Sequence, residues 1–354
     1  MDLSISRVTT PTNLEETRAP QCEAVLRFLP VELRADGRYK VIRLLAMGGM
    51  GAVLEVDDAA LRRRVAMKVL LEVDSPEQIA RFIEEAQITA QLGHPNIIPV
   101  YDINVNEREN PFFTMRLLDG VSFGSVLEKM RKGDARVIEK FPLHELLRVL
   151  GKVCDALSFA HACGVVHRDL KPDNVMIGSY GEVLLIDWGL AKTMGTNANV
   201  GAAAGQALVT SARHDAGSEF ATGDHGIVGT PHFMAPEQAK GEVKTIDART
   251  DVYATGALLY QVLTLRRPIE GDDTFAVLEN VASGQVGPIE FSPTALAWRG
   301  PGICEELAAV ARKAMARDKT NRHSTVRELQ VAIRQAYLFV IGGTGVDRTP
   351  SWLR

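Results

Sequence analysis

The chain has 354 residues, with 40 basic and 44 acidic side chains and a formal net charge of −4. That balance provides no global basic field, so nucleic acid is not an expected partner. Hydrophobic residues make up 46% and charged residues 24%, the composition of a soluble globular protein long enough for two lobes. No apolar run approaches the roughly 18 residues that cross a bilayer, so no membrane span is expected. The opening Met1-Asp2-Leu3-Ser4 lacks the basic-then-apolar order of a secretion signal. Cys22, Cys154, Cys163 and Cys304 are scattered without a CxxC pair. That argues against a disulfide framework or a cysteine zinc site, and for reduced thiols in a cytoplasmic protein.

Residues 1–37 show no clear period and read as an N-terminal extension, although residues 22–29 have the character of a short helix. From Tyr39 the pattern turns to strands. Tyr39–Leu45 and Ala52–Val56 are β-prone runs joined by Met47-Gly48-Gly49-Met50-Gly51, a turn whose backbone N–H groups can approach phosphates without Cβ clashes. Arg64–Leu71 reads as a third strand, with Lys68 in an otherwise apolar run. Asp74-Ser75-Pro76-Glu77 is a helix start, and Ile79, Phe82, Ile83, Ala86 and Ala90 form the stripe behind it, with Glu85 on its flank. Ile97–Ile103 and Pro111–Leu117 supply two more strands before Leu118-Asp119-Gly120 breaks the pattern.

Leu143, Leu146, Leu147, Leu150, Val153, Cys154, Leu157 and Ala160 predict a long helix closed by Gly164. Next comes His167-Arg168-Asp169-Leu170-Lys171-Pro172-Asp173-Asn174, ahead of the short apolar run Val175-Met176-Ile177. A loop with a carboxylate, a lysine and a carboxamide at these spacings suits phosphoryl transfer. Asp169 can orient the attacking hydroxyl and take its proton, Lys171 can neutralise the moving group, and Asn174 can hold magnesium. Glu182–Ile186 reads as a strand ending in Asp187-Trp188-Gly189, where a carboxylate beside a glycine can chelate the same ion. Residues 193–228 are poor in large apolar groups, and order returns at Gly229-Thr230-Pro231-His232-Phe233-Met234-Ala235-Pro236-Glu237. Helical patterns follow Asp251 and continue through Thr274–Ala282, Glu305–Met315 and Val326 to about Phe339.

Taken in order, these motifs resemble those of eukaryotic-type serine/threonine protein kinases, and the Gly-Gly-Met-Gly loop resembles their bacterial branch. The resemblance implies an α+β bilobal fold: a small lobe of five antiparallel strands and one helix, and a larger, mainly helical lobe. It places the kinase domain at 38–338, with N-lobe 38–115, hinge 116–120 and C-lobe 121–338, and leaves 339–354 as a tail. It implies ATP and Mg2+ as cofactors and protein serine or threonine hydroxyls as substrates. Leu45, Gly48, Gly49, Gly51, Val53, Ala66, Met115, Arg116, Leu117 and Met176 fall on nucleotide-binding positions. Lys68 would hold phosphates and pair with Glu85, Asp187 and Asn174 would hold magnesium, and Asp169, Lys171 and Thr230 would serve catalysis.

The family's first loop glycine is replaced by Ala46, and its Asp-Phe-Gly phenylalanine by Trp188. Asp251 would brace the catalytic loop from below, and Arg322 would pair with Glu237. The segment of about 190–236 is expected to be autophosphorylated, with Thr210, Ser211, Ser218 and Thr222 as candidates and transient self-association as the route. Two alternatives stay open at this point, a pseudokinase scaffold and a small-molecule phosphotransferase of kinase-like fold.

Overall fold

A computed structural model describes residues 37–48, 51–71, 75–105, 110–193, 209, 231–291 and 303–342. It divides into two compact units, and each is described by itself. The smaller takes the described residues up to Ile83 together with Val100–Leu117. The larger takes Glu84–Pro99 and the described residues from Leu118 onward.

The smaller unit is one antiparallel sheet of order β1-β2-β3-β5-β4. Its strands are β1 (Tyr39–Gly48), β2 (Gly51–Asp58), β3 (Arg63–Leu70), β4 (Val100–Val105) and β5 (Pro111–Met115). Alternation decides which side chains go inward. Leu54 and Val56 on β2, and Val65, Met67 and Val69 on β3, meet Tyr39 and Phe112 in a small apolar core. Arg38 closes one end by bonding Asp58 through Nε and Nη2 and reaching Asp102 on β4. Ala46 pairs with Val53 inside the β1–β2 ladder. It lies beside a register irregularity between Leu44 and Ala46, and the ladder resumes at its pairing with Val53.

Gly51 is different. A Cβ there would stand 2.1 Å from the Val69 carbonyl oxygen, so only glycine lets β2 lie this close to β3.

Helix α1 (Pro76–Gln91) is shared between the units. Its second half turns Ile88 and then Leu92 and Ile97 into the core of the larger unit. Asn96 Nδ2 donates to Val183 O, and Ile97 bridges to Leu185. The strand expected at Ile97–Ile103 accordingly begins only at Val100, because the residues before it are bonded to the larger unit's hairpin.

The larger unit is built on α4 (Leu143–Ala162) and α6 (Ala248–Thr264). All eight apolar residues of the expected α4 stripe are buried. Helix α6 is buried nearly all round, as befits a helix with little amphipathic contrast. Two helices absent from the sequence reading, α2 (Phe123–Arg131) and α3 (Ala135–Lys140), start at Ser122 and Asp134, whose side chains accept backbone N–H bonds. The short helix α5 (Pro236–Ala239) and α7 (Thr274–Ser283), α8 (Ile303–Ala314) and α9 (Val326–Gly342) complete the α-helices among the described residues. Helix α9 runs on to Gly342 rather than stopping near Phe339.

Three strands carry the functional loops: β6 (Gly120–Ser122), β8 (Val175–Gly178) and β9 (Val183–Leu185), in order β6-β8-β9. A second small ladder pairs β7 (Val165–Val166) with β10 (Lys192–Thr193). No helix among the described residues is long and apolar enough to cross a membrane.

Replacing Gly51 by alanine should lower stability by about 1–3 kcal/mol, the scale of an overpacked site. Denaturant unfolding of the two proteins checks this, and an unchanged midpoint would show that β2 and β3 can separate at no cost.

Candidate active site

The loop from His167 to Asn174 connects β7 to β8, and its geometry begins beneath it. Asp251, in the first turn of α6, is fully buried. Its carboxylate accepts three hydrogen bonds: Oδ2 from His167 N at 2.9 Å and from His161 Nε2 at 2.7 Å, and Oδ1 from Arg168 N at 3.0 Å. Burial by itself would raise this acid. The His161 bond, the two nearby imidazoles and the Arg168 N–H outweigh it and hold the acid below its usual range. The expected brace is therefore present, and His161, which sequence reasoning missed, is part of it.

Above this anchor Arg168 takes a left-handed backbone, φ 70°. Such a conformation is uncommon for a side chain of this kind and persists only where surroundings hold it. His167 Nδ1 accepts the Asp169 N–H at 3.2 Å. The Asp169 carboxylate follows. Its Oδ2 accepts from Lys171 Nζ at 2.7 Å and from Asn174 Nδ2 at 3.3 Å. Asn174 Nδ2 also donates to Asp169 O at 2.8 Å, which ties the carboxamide to the loop. Asp169, Lys171 and Asn174 thus form one hydrogen-bonded group.

Asn174 and Asp187 stand at the two open ends of the β8–β9 hairpin. Val175 pairs with Leu185, and Ile186 N donates to Asn174 O at 2.9 Å, so the two chain positions lie side by side. Asp187 also has a left-handed backbone, φ 63°. Trp188 is buried and packs on His167 with ring centroids 4.6 Å apart, so the large apolar residue is retained in place of phenylalanine. Glu85 on α1 is buried in the larger unit, and a Cβ on Gly189 would stand 3.1 Å from its Oε2.

Among the described residues no group of three His, Cys, Asp or Glu side chains could enclose a metal. One carboxylate and one carboxamide oxygen still fit magnesium, which is commonly bound through one or two protein oxygens with substrate phosphates and water completing the shell.

In the smaller unit Lys68 lies opposite Val53 and Phe113, with Nζ 5.9 Å from the phenylalanine ring centroid. Gly48 and Gly51 end the β1–β2 hairpin. Ala66 faces Met115 across the ladder, and Val53 faces Ala46. Leu45 lies within β1, Arg116 and Leu117 follow β5, and Met176 lies in β8 of the larger unit. Gly49 and Thr230 lie outside the described residues, as do the four phosphorylation candidates.

The Ala-Pro-Glu segment is anchored by a buried ion pair. Arg322 Nη1 and Nη2 each bond a Glu237 carboxylate oxygen at 2.8 Å, as expected from sequence. Thr250 Oγ1 adds a bond at 2.9 Å, and Arg322 also donates to the carbonyls of Arg249, Ala316 and Arg317. Burial alone would raise Glu237, but the forked bond to Arg322 holds it below the usual range. Gln238, which the sequence reading passed over, joins Ala235 N to Arg168 O.

Comparison with known proteins agrees with this geometry. The profile of the protein kinase domain matches residues 39–337. The chain is 34% identical over 306 residues to a Streptomyces coelicolor protein named "Probable serine/threonine-protein kinase", covering 85% of this chain and 40% of that one. It is 35% identical over 302 residues to serine/threonine-protein kinase PknD of Chlamydia muridarum, and 36% over 306 residues to PknD of Chlamydia trachomatis serovar D. Those matches cover 84% and 85% of this chain and 31% and 32% of the relatives. The chain therefore belongs to the protein kinase domain family, and it spans two-fifths or less of the length of these relatives. The family uses ATP and a divalent metal ion.

Arg322→Ala should cost about 3–5 kcal/mol at neutral pH, because it leaves Glu237 buried and unpaired. Glu237 has a depressed folded pKa, so its contribution is complete above the ordinary carboxylate range and is lost as pH falls through the folded value. In the variant the unpaired, buried Glu237 is raised instead, so the stability gap between wild type and variant should narrow as pH falls into and below the ordinary carboxylate range. Urea titrations at several pH values check this, and a gap independent of pH would count against the pair.

Proposed function

We propose that the chain is a serine/threonine protein kinase that transfers the γ-phosphoryl group of magnesium-bound ATP to hydroxyls of protein substrates. The observation that carries this reading is the hydrogen-bonded group Asp169–Lys171–Asn174 on a loop anchored at Asp251. Asp169 Oδ2 is engaged by Lys171 and Asn174, and among the described residues Oδ1 carries no hydrogen bond. Oδ1 is then the atom that receives the substrate hydroxyl. Asp169 orients that hydroxyl and takes its proton as the new O–P bond forms and the bond to the β-phosphate oxygen breaks. Lys171, held at the same carboxylate, places its charge where the transferred group passes.

Asn174 and Asp187 would hold magnesium, which supplies charge neutralisation for the phosphates. Lys68 serves the α- and β-phosphates, with Glu85 as the carboxylate that the family's lysine uses. Leu45, Val53, Ala66 and Met176 are proposed as the adenine contacts, the backbone at 115–117 as its polar partner, and Thr230 as a further contact to the catalytic group. The lysine, both aspartates and the asparagine are all retained, which favours an active enzyme over a scaffold. The Gly229–Glu237 segment favours protein over small-molecule substrates, because in the family it serves peptides.

Regulation is proposed through the segment after Asp187. Burial lowers the Arg168 guanidinium from its ordinary range, and the Asp251 charge opposes that. A phosphate brings a charge of about −1.5 to −2 and three acceptor oxygens, so it would suit such a cation. Thr210, Ser211, Ser218 and Thr222 are the candidate acceptors, modified by a second copy of the chain.

Three outcomes test these readings. Asp169→Asn should reduce phosphoryl transfer by roughly 10²–10⁴-fold with little change in nucleotide affinity, measured with labelled ATP on a generic basic protein. Full activity in that variant, or phosphate mainly on tyrosine, would overturn the assignment. Ala46→Gly should alter ATP affinity by no more than about 1 kcal/mol, the scale of a glycine–alanine backbone effect. Calorimetric titration of the nucleotide reads this directly. Mass spectrometry of active protein should find phosphate between Thr210 and Thr222, absent from Asp169→Asn, and its absence from active protein would remove the regulatory reading alone.

A further inference from the structure

The backbone of Arg168 is held at both ends, by two different elements. Its N–H is bonded to Asp251 on α6 at 3.0 Å. Its C=O accepts a hydrogen bond from Gln238 Nε2 at 2.8 Å, across 70 residues of sequence. The other half of the same carboxamide is also used: Gln238 Oε1 accepts the N–H of Ala235 at 3.0 Å, at the start of α5. Ala235 is buried and Gln238 only partly so, and the Glu237 beside it is fixed to Arg322. The base of α5 is therefore rigid, and Gln238 extends that rigidity to the catalytic loop.

This matters at Arg168 because its left-handed conformation has to be imposed. The peptide unit whose oxygen Gln238 holds is the one that leads into Asp169. Its nitrogen end is tied to His167 Nδ1 and its oxygen end to Gln238. Rotation of that unit would swing the Asp169 side chain, and a misplacement of about 1 Å can cost on the order of 10² in rate.

We propose that Gln238 is a positioning residue for phosphoryl transfer, a two-ended carboxamide clamp that sets the Arg168–Asp169 peptide and couples the aim of Asp169 to the Ala235–Glu237 segment. The inference rests on the kinase reading above. Only a side chain with a donor at one end and an acceptor at the other, and the reach of glutamine, satisfies both contacts. Glutamate keeps the acceptor for Ala235 N but sets a carboxylate oxygen against the Arg168 carbonyl, and methionine keeps the length but supplies neither strong bond.

The test compares wild type, Gln238→Glu, Gln238→Met and Asp169→Asn as full chains, with magnesium, ATP and a generic basic protein substrate. The charged and titratable groups on the joined elements include His167, Arg168, Asp169, Lys171 and Asp173 on the loop, Arg249 and Asp251 on α6, and Glu237 on α5 with its partner Arg322, so each variant is compared with wild type at the same pH. Gln238→Glu and Gln238→Met should lower kcat by about 10-fold or more at pH 8, with KM for ATP within about twofold and a thermal midpoint near that of wild type. Below about pH 6 the ratio of Gln238→Glu to wild-type kcat should rise, as the introduced acid is protonated and regains a donor for the Arg168 carbonyl, while the Gln238→Met ratio stays flat. The proposal is overturned by kcat within twofold of wild type in both variants, by equal and pH-independent losses in both, or by losses that only follow a collapse of the thermal midpoint. A wild type that transfers no phosphate, like Asp169→Asn, would instead overturn the kinase reading.

Discussion

A single buried carboxylate, Asp251, carries the arrangement on which the rest of the site depends. It takes up the N–H groups of His167 and Arg168 and the imidazole of His161, so three donors converge on one buried acceptor. An ionised group so deep in apolar surroundings is expensive unless its lone pairs are filled, and here charge-assisted bonds fill them. The consequence is directional. The loop cannot move without exposing Asp251 to unpaired burial, so Asp169 is presented from a fixed base.

The anchor works because the helix that carries it is itself immobilised. Helix α6 is packed nearly all round, and α4 lies against it with its whole predicted stripe inside. Above the loop, the Glu237–Arg322 fork and Gln238 hold the opposite side. The loop is thus held by the buried Asp251 on one side and on the other by Gln238, which adjoins the buried Glu237–Arg322 pair, and the apolar core supplies the stiffness that each needs.

The parts of the candidate site are legible in local sequence chemistry. Asp169, Lys171 and Asn174 are legible as candidates because the proposed roles need those functional groups at short range, and short range in a loop is a matter of spacing. The α4 stripe and the start of α1 are legible because helical period and capping are local. Helices α2 and α3 follow Ser122 and Asp134 and could have been read from the same capping signal, with the buried positions Phe123, Val126, Leu127 and Met130 falling at helical spacing. The late start of β4 was not legible, because it depends on Asn96 and Ile97 bonding to a hairpin nearly 90 residues away.

By itself, then, the sequence determined the family and most of the long helices and strands, and it pointed to the candidate groups for the chemistry. These follow from hydrophobic period, turn chemistry and functional-group spacing, all of which act over a few residues. Only the tertiary structure showed that His161 and Gln238 join Asp251 and the Glu237–Arg322 pair in holding the loop. His161 and Gln238 look unremarkable in the chain, a histidine late in a helix and a glutamine after Pro-Glu. Each acquires its role from a partner 70 to 90 residues distant, and a hydrogen bond of that kind depends on where the fold brings two elements together rather than on any pattern along the chain.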